Sequence, residues 1–195
     1  MIDLGEINFL GSNLKRINLE RANLERSNFT GANLKVANLN MANIRGANLQ
    51  GVNLERANLQ GVNLEGVNLQ GANLRGSTLE KVNLFMADLE GSNFKGTILD
   101  GTDLEKTNLT KANLTKANLK ETNLKGADLD WTILAGSNLK GAKLEKANLT
   151  GANLQEANLS MANFKEPDLL WLTLGELIFR GRTLKALTLN ELFLK

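Results

Sequence analysis

Apolar residues fall on a strict beat of five. Leucine or a close substitute stands at every fifth place from Leu4 to Leu194, thirty-nine positions without insertion or deletion. The substitutes are Phe9, Phe29, Phe94, Phe164, Phe179 and Ile44. Two places before each centre comes a small residue, one place before it an Asn, and the two places after it are mostly polar, as in Ala22-Asn23-Leu24-Glu25-Arg26. An α-helix turns about 100° per residue, so leucines five apart would step about 140° and spread around the cylinder. A plain strand alternates faces with period two, and odd spacing sends successive leucines to opposite sides. Both difficulties vanish if each quintet is a short extended piece followed by a turn. The small residue and the centre then face inward, the Asn between them faces outward, and the turn resets the parity.

The turn places agree. Glycine closes sixteen of the quintets, among them Gly31, Gly51 and Gly91, and glycine supplies the positive φ of a type II turn at no steric cost. The pattern predicts a solenoid in which each quintet is one side and each coil stacks on the last.

Tandem Ala-Asn-Leu-x-x of this kind resembles the pentapeptide-repeat proteins, with high specificity over residues 2–166 and weakly over 167–195. The resemblance implies an all-β fold, a right-handed quadrilateral parallel β-helix with four quintets per coil and about nine coils. On that count Glu25, Arg45, Glu65, Phe85, Glu105, Lys125, Glu145 and Lys165 form one column with mostly alternating charge. Neighbours in it would sit about 4.8 Å apart, where opposite charges attract.

The expected interior is a stack of leucines ringed by small residues such as Ala32, Ala37, Ala42 and Ala47, because a second large side chain on each wall would overpack it. Asn precedes the centre in twenty-five of the thirty-three quintets between Asp3 and Asn163. It can both donate and accept, so stacked copies can bond one another or the turn backbone. This Asn set is read as scaffold. Larger residues take the small place at the two ends, Ile2, Ile7 and Ile17 at one, Leu172, Leu177, Leu187 and Leu192 at the other. There they would close the open solenoid end or meet a partner.

Pro167 divides the chain into a repeat β-helix, residues 1–166, and a divergent Leu-rich segment, 167–195, acting as cap or interface. In the second part the outward places turn apolar: Leu170, Trp171, Ile178 and Phe193. Two readings stand, degenerate coils or a helix started by Pro167; the persisting five-beat favours the coils. Under either reading this outward cluster is the candidate interface, and in several pentapeptide-repeat proteins the C-terminal end makes a homodimer. Within the main body Phe85, Met86, Ile98, Trp131 and Ile133 also take outward places, spread over different sides. Trp131 and Trp171 share a column with Gly151 between them, where a ring could cover the glycine.

Charge narrows the function. Lys plus Arg number twenty-three against twenty-one Asp plus Glu. A nucleic-acid binder shows a pronounced basic stripe and a DNA mimic the opposite, so nucleic acid is not an expected partner. Histidine, cysteine and tyrosine are absent, which removes the usual general base, the thiol nucleophile and the imidazole metal ligands. No phosphate-loop motif interrupts the glycine beat. No catalytic residue, cofactor, metal or small-molecule substrate is assigned. No apolar run approaches a membrane span, and the beat begins at the first residues, which gives a cytoplasmic protein. The expected function is a non-enzymatic protein-binding scaffold or regulatory rod with an unnamed protein partner. The alternative comes from the resemblance alone. Some pentapeptide-repeat proteins mimic DNA, bind type II topoisomerases such as gyrase and protect them from quinolones. Those are markedly acidic, and this chain is not.

Overall fold

A computed structural model describes residues 2–170, 172, 173, 176–179 and 182–185. Parallel β-bridges join each residue in the Asn place to the residue twenty positions on, from Asp3 with Asn23 to Asn153 with Thr173. A coil is therefore four quintets, and the chain from 2 to 173 winds through more than eight coils.

The reason for the five-residue unit lies in its hydrogen bonds, since each buried N–H needs an acceptor. In the quintet Ala22–Arg26 the centre N–H of Leu24 donates to Asn43 O on the next coil (2.7 Å), and the corner N–H of Arg26 donates to Arg45 O (2.9 Å). The Asn23 N–H donates back to Ile2 O (2.9 Å), and the Ala22 N–H closes the preceding turn on Leu19 O (3.0 Å). One donor is left over, the N–H of Glu25. It is taken by the side-chain Oδ1 of Asn23 (3.3 Å). The same bond recurs up the rod, as in Gln50 N to Asn48 Oδ1 and Thr110 N to Asn108 Oδ1, both 3.1 Å.

The amide also bonds along the rod axis. Asn43 Nδ2 donates to Asn23 Oδ1 (3.0 Å) and Asn138 Nδ2 to Asn118 Oδ1 (3.0 Å). Asp can replace Asn as acceptor only. Asp128 receives Asn148 Nδ2 (2.9 Å) and caps Asp130 N (3.1 Å), but an ionised carboxylate has no proton to pass down the column. The Asn set is thus a load of backbone satisfaction and an axial ladder together.

From Glu6 to Glu166 every quintet ends in a corner residue with φ between 52° and 70°; fifteen are glycine and eighteen are not. The residue before each corner has no positive φ, the signature of a type II turn. Glycine therefore serves fewer than half of the corners, and Arg, Lys, Glu, Met, Val36 and Trp131 hold the rest in a left-handed conformation.

Inside, the leucine rows are sealed, with Phe29 and Phe94 among the largest buried side chains. Ser and Thr in the small place bond main-chain carbonyls, as in Ser77 Oγ to Leu74 O (2.6 Å) and Thr97 Oγ1 to Leu74 O (2.7 Å). Ser137 Oγ is buried without a partner. The bridge sequence fails once, between Asn43 and Asn63, on the wall where Ile44 is the only isoleucine centre. The wall parts there.

The ends differ. Ile2 is 53% exposed, so the larger residues of the first coil do not seal it, although Phe9 stacks on Phe29 with ring centroids 4.8 Å apart. Beyond Thr173 the parallel coil gives way to an antiparallel pair, β1 (Glu176–Phe179) and β2 (Arg182–Lys185). The degenerate coil expected after Pro167 is present at Asp168 and Thr173, which bridge Asn148 and Asn153, whereas Glu176–Phe179 and Arg182–Lys185 form neither parallel coil nor helix; among the described residues no helix occurs.

Candidate partner-binding walls

Twenty residues per coil sort every outward side chain onto one of four walls, numbered here by the bridge column each contains: Asp3, Asn8, Asn13 and Asn18. The near-neutral total conceals a segregation. Wall three carries Lys15, Arg16, Lys35, Arg56, Arg75, Lys95 and Lys116 against Glu55 and Glu156. Wall two carries Asp88, Glu90, Asp128, Asp130 and Asp168 against Lys111. Walls one and four mix the signs. The two lopsided walls adjoin, and their shared corner column holds Gly11, Gly31, Gly51, Gly71 and Gly91, which leaves that edge bare through the first five coils.

On wall three the one strong ion pair joins Lys35 Nζ to Glu55 Oε2 at 2.7 Å. Lys35 holds the Glu55 carboxyl below its ordinary pKa, chiefly through this bond, against an opposing effect of desolvation, with smaller help from the charges of Lys35, Arg75 and Arg56. The other six cations of the wall form no ion pair among the described residues.

The alternating column expected on wall one is present as a column but not as ion pairs: its neighbours form none within 4 Å among the described residues. The carboxylates turn instead to the Asn ladder, as Glu105 Oε2 does to Asn123 Nδ2 (3.1 Å) and Glu145 Oε1 to Asn163 Nδ2 (2.7 Å). Phe85 finds its own partner, the Lys106 ammonium 5.5 Å from the ring centroid, within cation–π range.

Of the residues expected to form the C-terminal interface, Leu170 lies on wall two, 61% exposed, and its carbonyl receives Gly151 N at 2.8 Å. Ile178 sits in β1 opposite Thr183. Trp171 and Phe193 lie outside the described residues. Sequence reading dispersed the outward apolar residues of the main body over different sides, but Trp131 and Ile133 fall together. They occupy the corner and the bridge place of one coil at the edge of wall three, 58% and 41% exposed. The Trp131 ring does cover Gly151, where an added Cβ would lie 2.7 Å from ring carbon Cδ2.

Two surface grooves lie on walls four and one. One, of about 520 Å³, runs along wall four beside Gln60, Glu80, Asp100 and Lys120. The other, about 380 Å³, is the parted wall beside Ile44, Arg45, Asn63 and Glu65. Among the described residues no group of three or more Asp, Glu, His or Cys side chains is placed to hold a metal, and no helix is long and apolar enough to cross a membrane.

These features define a solenoid rod of stacked quintets whose chemistry lies on flat sides. The chain belongs to the pentapeptide-repeat family: the family model described as "Pentapeptide repeats (8 copies)" matches residues 12–51, 47–84, 87–126, 97–136 and 132–169. Among solved structures it is similar to HetL of Nostoc sp. strain PCC 7120, a pentapeptide repeat protein involved in heterocyst differentiation regulation. That match has 28% identity, covers 95% of this chain and 92% of the other, and has a TM-score of 0.78. It is similar in fold to a trypsin-treated form of QnrB1, a plasmid-mediated fluoroquinolone resistance protein, at 20% identity over 86% and 88% of the two chains with TM-score 0.52. No curated protein sequence matches the chain.

Proposed function

We propose that this protein is a non-catalytic regulatory rod that binds another protein through its walls. The carrying observation is the uneven charge of walls two and three in a chain of net charge +2. Outward residues of a scaffold with no binding duty have no reason to sort by sign, because each column tolerates either. The whole-length likeness to HetL, a regulatory protein of the same rod form, supports the reading. The filled leucine interior leaves chemistry to the surface. The DNA-mimicking alternative has less support: QnrB1 is alike in fold alone, and five carboxylates confined to one wall fall short of a DNA-like acidic surface. The exposed Leu170 keeps the C-terminal end as a second contact, through which two copies would pair.

Crosslinking followed by mass spectrometry in cells that express the protein tests the proposal. The expected result is a specific partner whose crosslinks map to one or two walls. Recovery of no partner, with or without residues 167–195, would overturn it.

A further inference from the structure

We propose that wall three is the binding face, and that its ligand is an acidic, extended polypeptide segment ending in an apolar residue. This rests on the protein-binding reading above and names the partner's chemistry. The cations from Lys15 to Lys116 span six coils, about 24 Å at roughly 4.8 Å per coil. An extended peptide rises about 3.3 Å per residue, so some seven residues cover the stripe. The corner cations lean along the rod toward its C-terminal end: Arg56 Cγ approaches the Cβ direction of Gly76, and Lys116 Cγ that of Gly136. Lys116 therefore lies over the coil that presents Ile133.

At that point the wall breaks two of its own rules side by side. Trp131 stands at φ 52° in a column where glycine holds most corners, and bulky residues in this region are strained. Ile133 takes an Asn place, so the N–H of Ala135 has no Oδ1 to receive it, and the axial ladder between Asn113 and Asn153 is cut. Neither residue is buried, so the core gains nothing from either departure. Strain and lost bonds kept together at an exposed spot point to use. An aromatic anchor beside a polar rim is the composition of a binding hot spot. The acids of wall two start at Asp88 and so flank the stripe only from Lys95 onward; along that part they disfavour a broad polyanion such as duplex nucleic acid more than a narrow peptide strand lying along wall three. Glu55 in mid-stripe also favours carboxylate-bearing peptide over continuous phosphate, since a peptide can leave a gap opposite it.

The test uses the full chain and a fluorescein-labelled peptide of seven glutamates followed by phenylalanine and leucine, read by anisotropy. Saturable binding that weakens at least tenfold between 50 and about 300 mM salt is expected. The pair Arg75→Glu with Lys95→Glu should abolish it, whereas Lys106→Glu with Lys125→Glu on wall one, the same charge change, should leave it within twofold. Trp131→Gly, which restores the fold's preferred corner residue, should weaken the apolar-tailed peptide about fivefold or more and leave a peptide of glutamates alone unchanged. Equal losses from the wall-one pair, no binding at millimolar peptide, or tighter binding of a single-stranded oligonucleotide would overturn the proposal. Crosslinks of a cellular partner to another wall would also overturn it while leaving the protein-binding reading intact.

Discussion

Corner backbone strain is the feature most open to quantitative attack. Gly91 has φ +63°, and a Cβ there would meet nothing within 4 Å. Gly91→Ala therefore isolates the conformational term. A non-glycine residue in the left-handed region costs about 1–2 kcal/mol, offset by about 0.4–1 kcal/mol of reduced freedom in the unfolded chain, for a net loss of about 1 kcal/mol. Val36 is the reverse case, a β-branched residue at φ 61°, 42% exposed with little packing to lose. Val36→Gly relieves about 1–2 kcal/mol of strain and surrenders about 0.5–1 kcal/mol of glycine entropy, so it should stabilise by about 0.5–1 kcal/mol. Gly151→Ala adds the 2.7 Å clash with the Trp131 ring and should cost clearly more than Gly91→Ala. In a Trp131→Gly background that excess should vanish, because the two sites are coupled only through the ring. Urea unfolding of the parent and the five variants, monitored by circular dichroism with a check for coincident transitions, supplies the values. If Val36→Gly destabilises as much as Gly91→Ala, strain at the corners is not what sets their composition.

Four further outcomes follow from particular contacts. Ser137→Ala should raise stability by about 1 kcal/mol, because it removes a buried hydroxyl with no partner, while Ser92→Ala, which loses the 2.6 Å bond to Leu89 O, should not; thermal melts separate them. Asn138→Asp, which loses the Nδ2 donor to Asn118, should cost about 1 kcal/mol in urea unfolding. Since the folded Glu55 carboxyl titrates below its ordinary value of 4.5, its contribution is present at neutral pH and fades as pH falls through the folded value. Urea midpoints from pH 7 to 3 should therefore show a smaller acid-side loss for Glu55→Gln than for the parent. Light scattering of the full chain and of one ending at residue 166 should show the loss of a dimer on truncation, and two equal monomer masses would remove the C-terminal contact.

The beat of five was legible because the apolar rows repeat without a slip, and leucine at that spacing suits neither a helix nor an uninterrupted strand. The twenty-residue coil was not legible from the beat alone. Nothing in Ala-Asn-Leu-x-x states how many quintets close a turn, and resemblance supplied the number. The role of Asn was half visible: its ability to donate and accept is plain, but the single orphan N–H that it receives appears only once the other four donors are placed. Left-handed Arg and Lys corners look like ordinary surface residues in a sequence. The charge segregation vanishes in a net sum and emerges only when positions such as Lys15, Lys35, Arg75 and Lys95 are known to stack. The column from Glu25 to Lys165 misled because the carboxylates had a nearer donor in the next Asn. Around Glu176 the five-beat continues into a stretch that pairs antiparallel, since leucine every fifth residue does not itself forbid a hairpin.

Because the chain lacks cysteine, engineered thiols report on coil geometry without background. Lys95→Cys with Thr115→Cys places the pair one coil apart on wall three, about 4.8 Å between backbones, within disulfide range. Lys95→Cys with Thr110→Cys or with Lys120→Cys places it on different walls. Rapid oxidation of the twenty-residue pair alone, read as the reducible disulfide yield, is the result expected of a four-quintet coil. Preferential closure of the fifteen- or twenty-five-residue pair would contradict the coil and every wall assignment built on it.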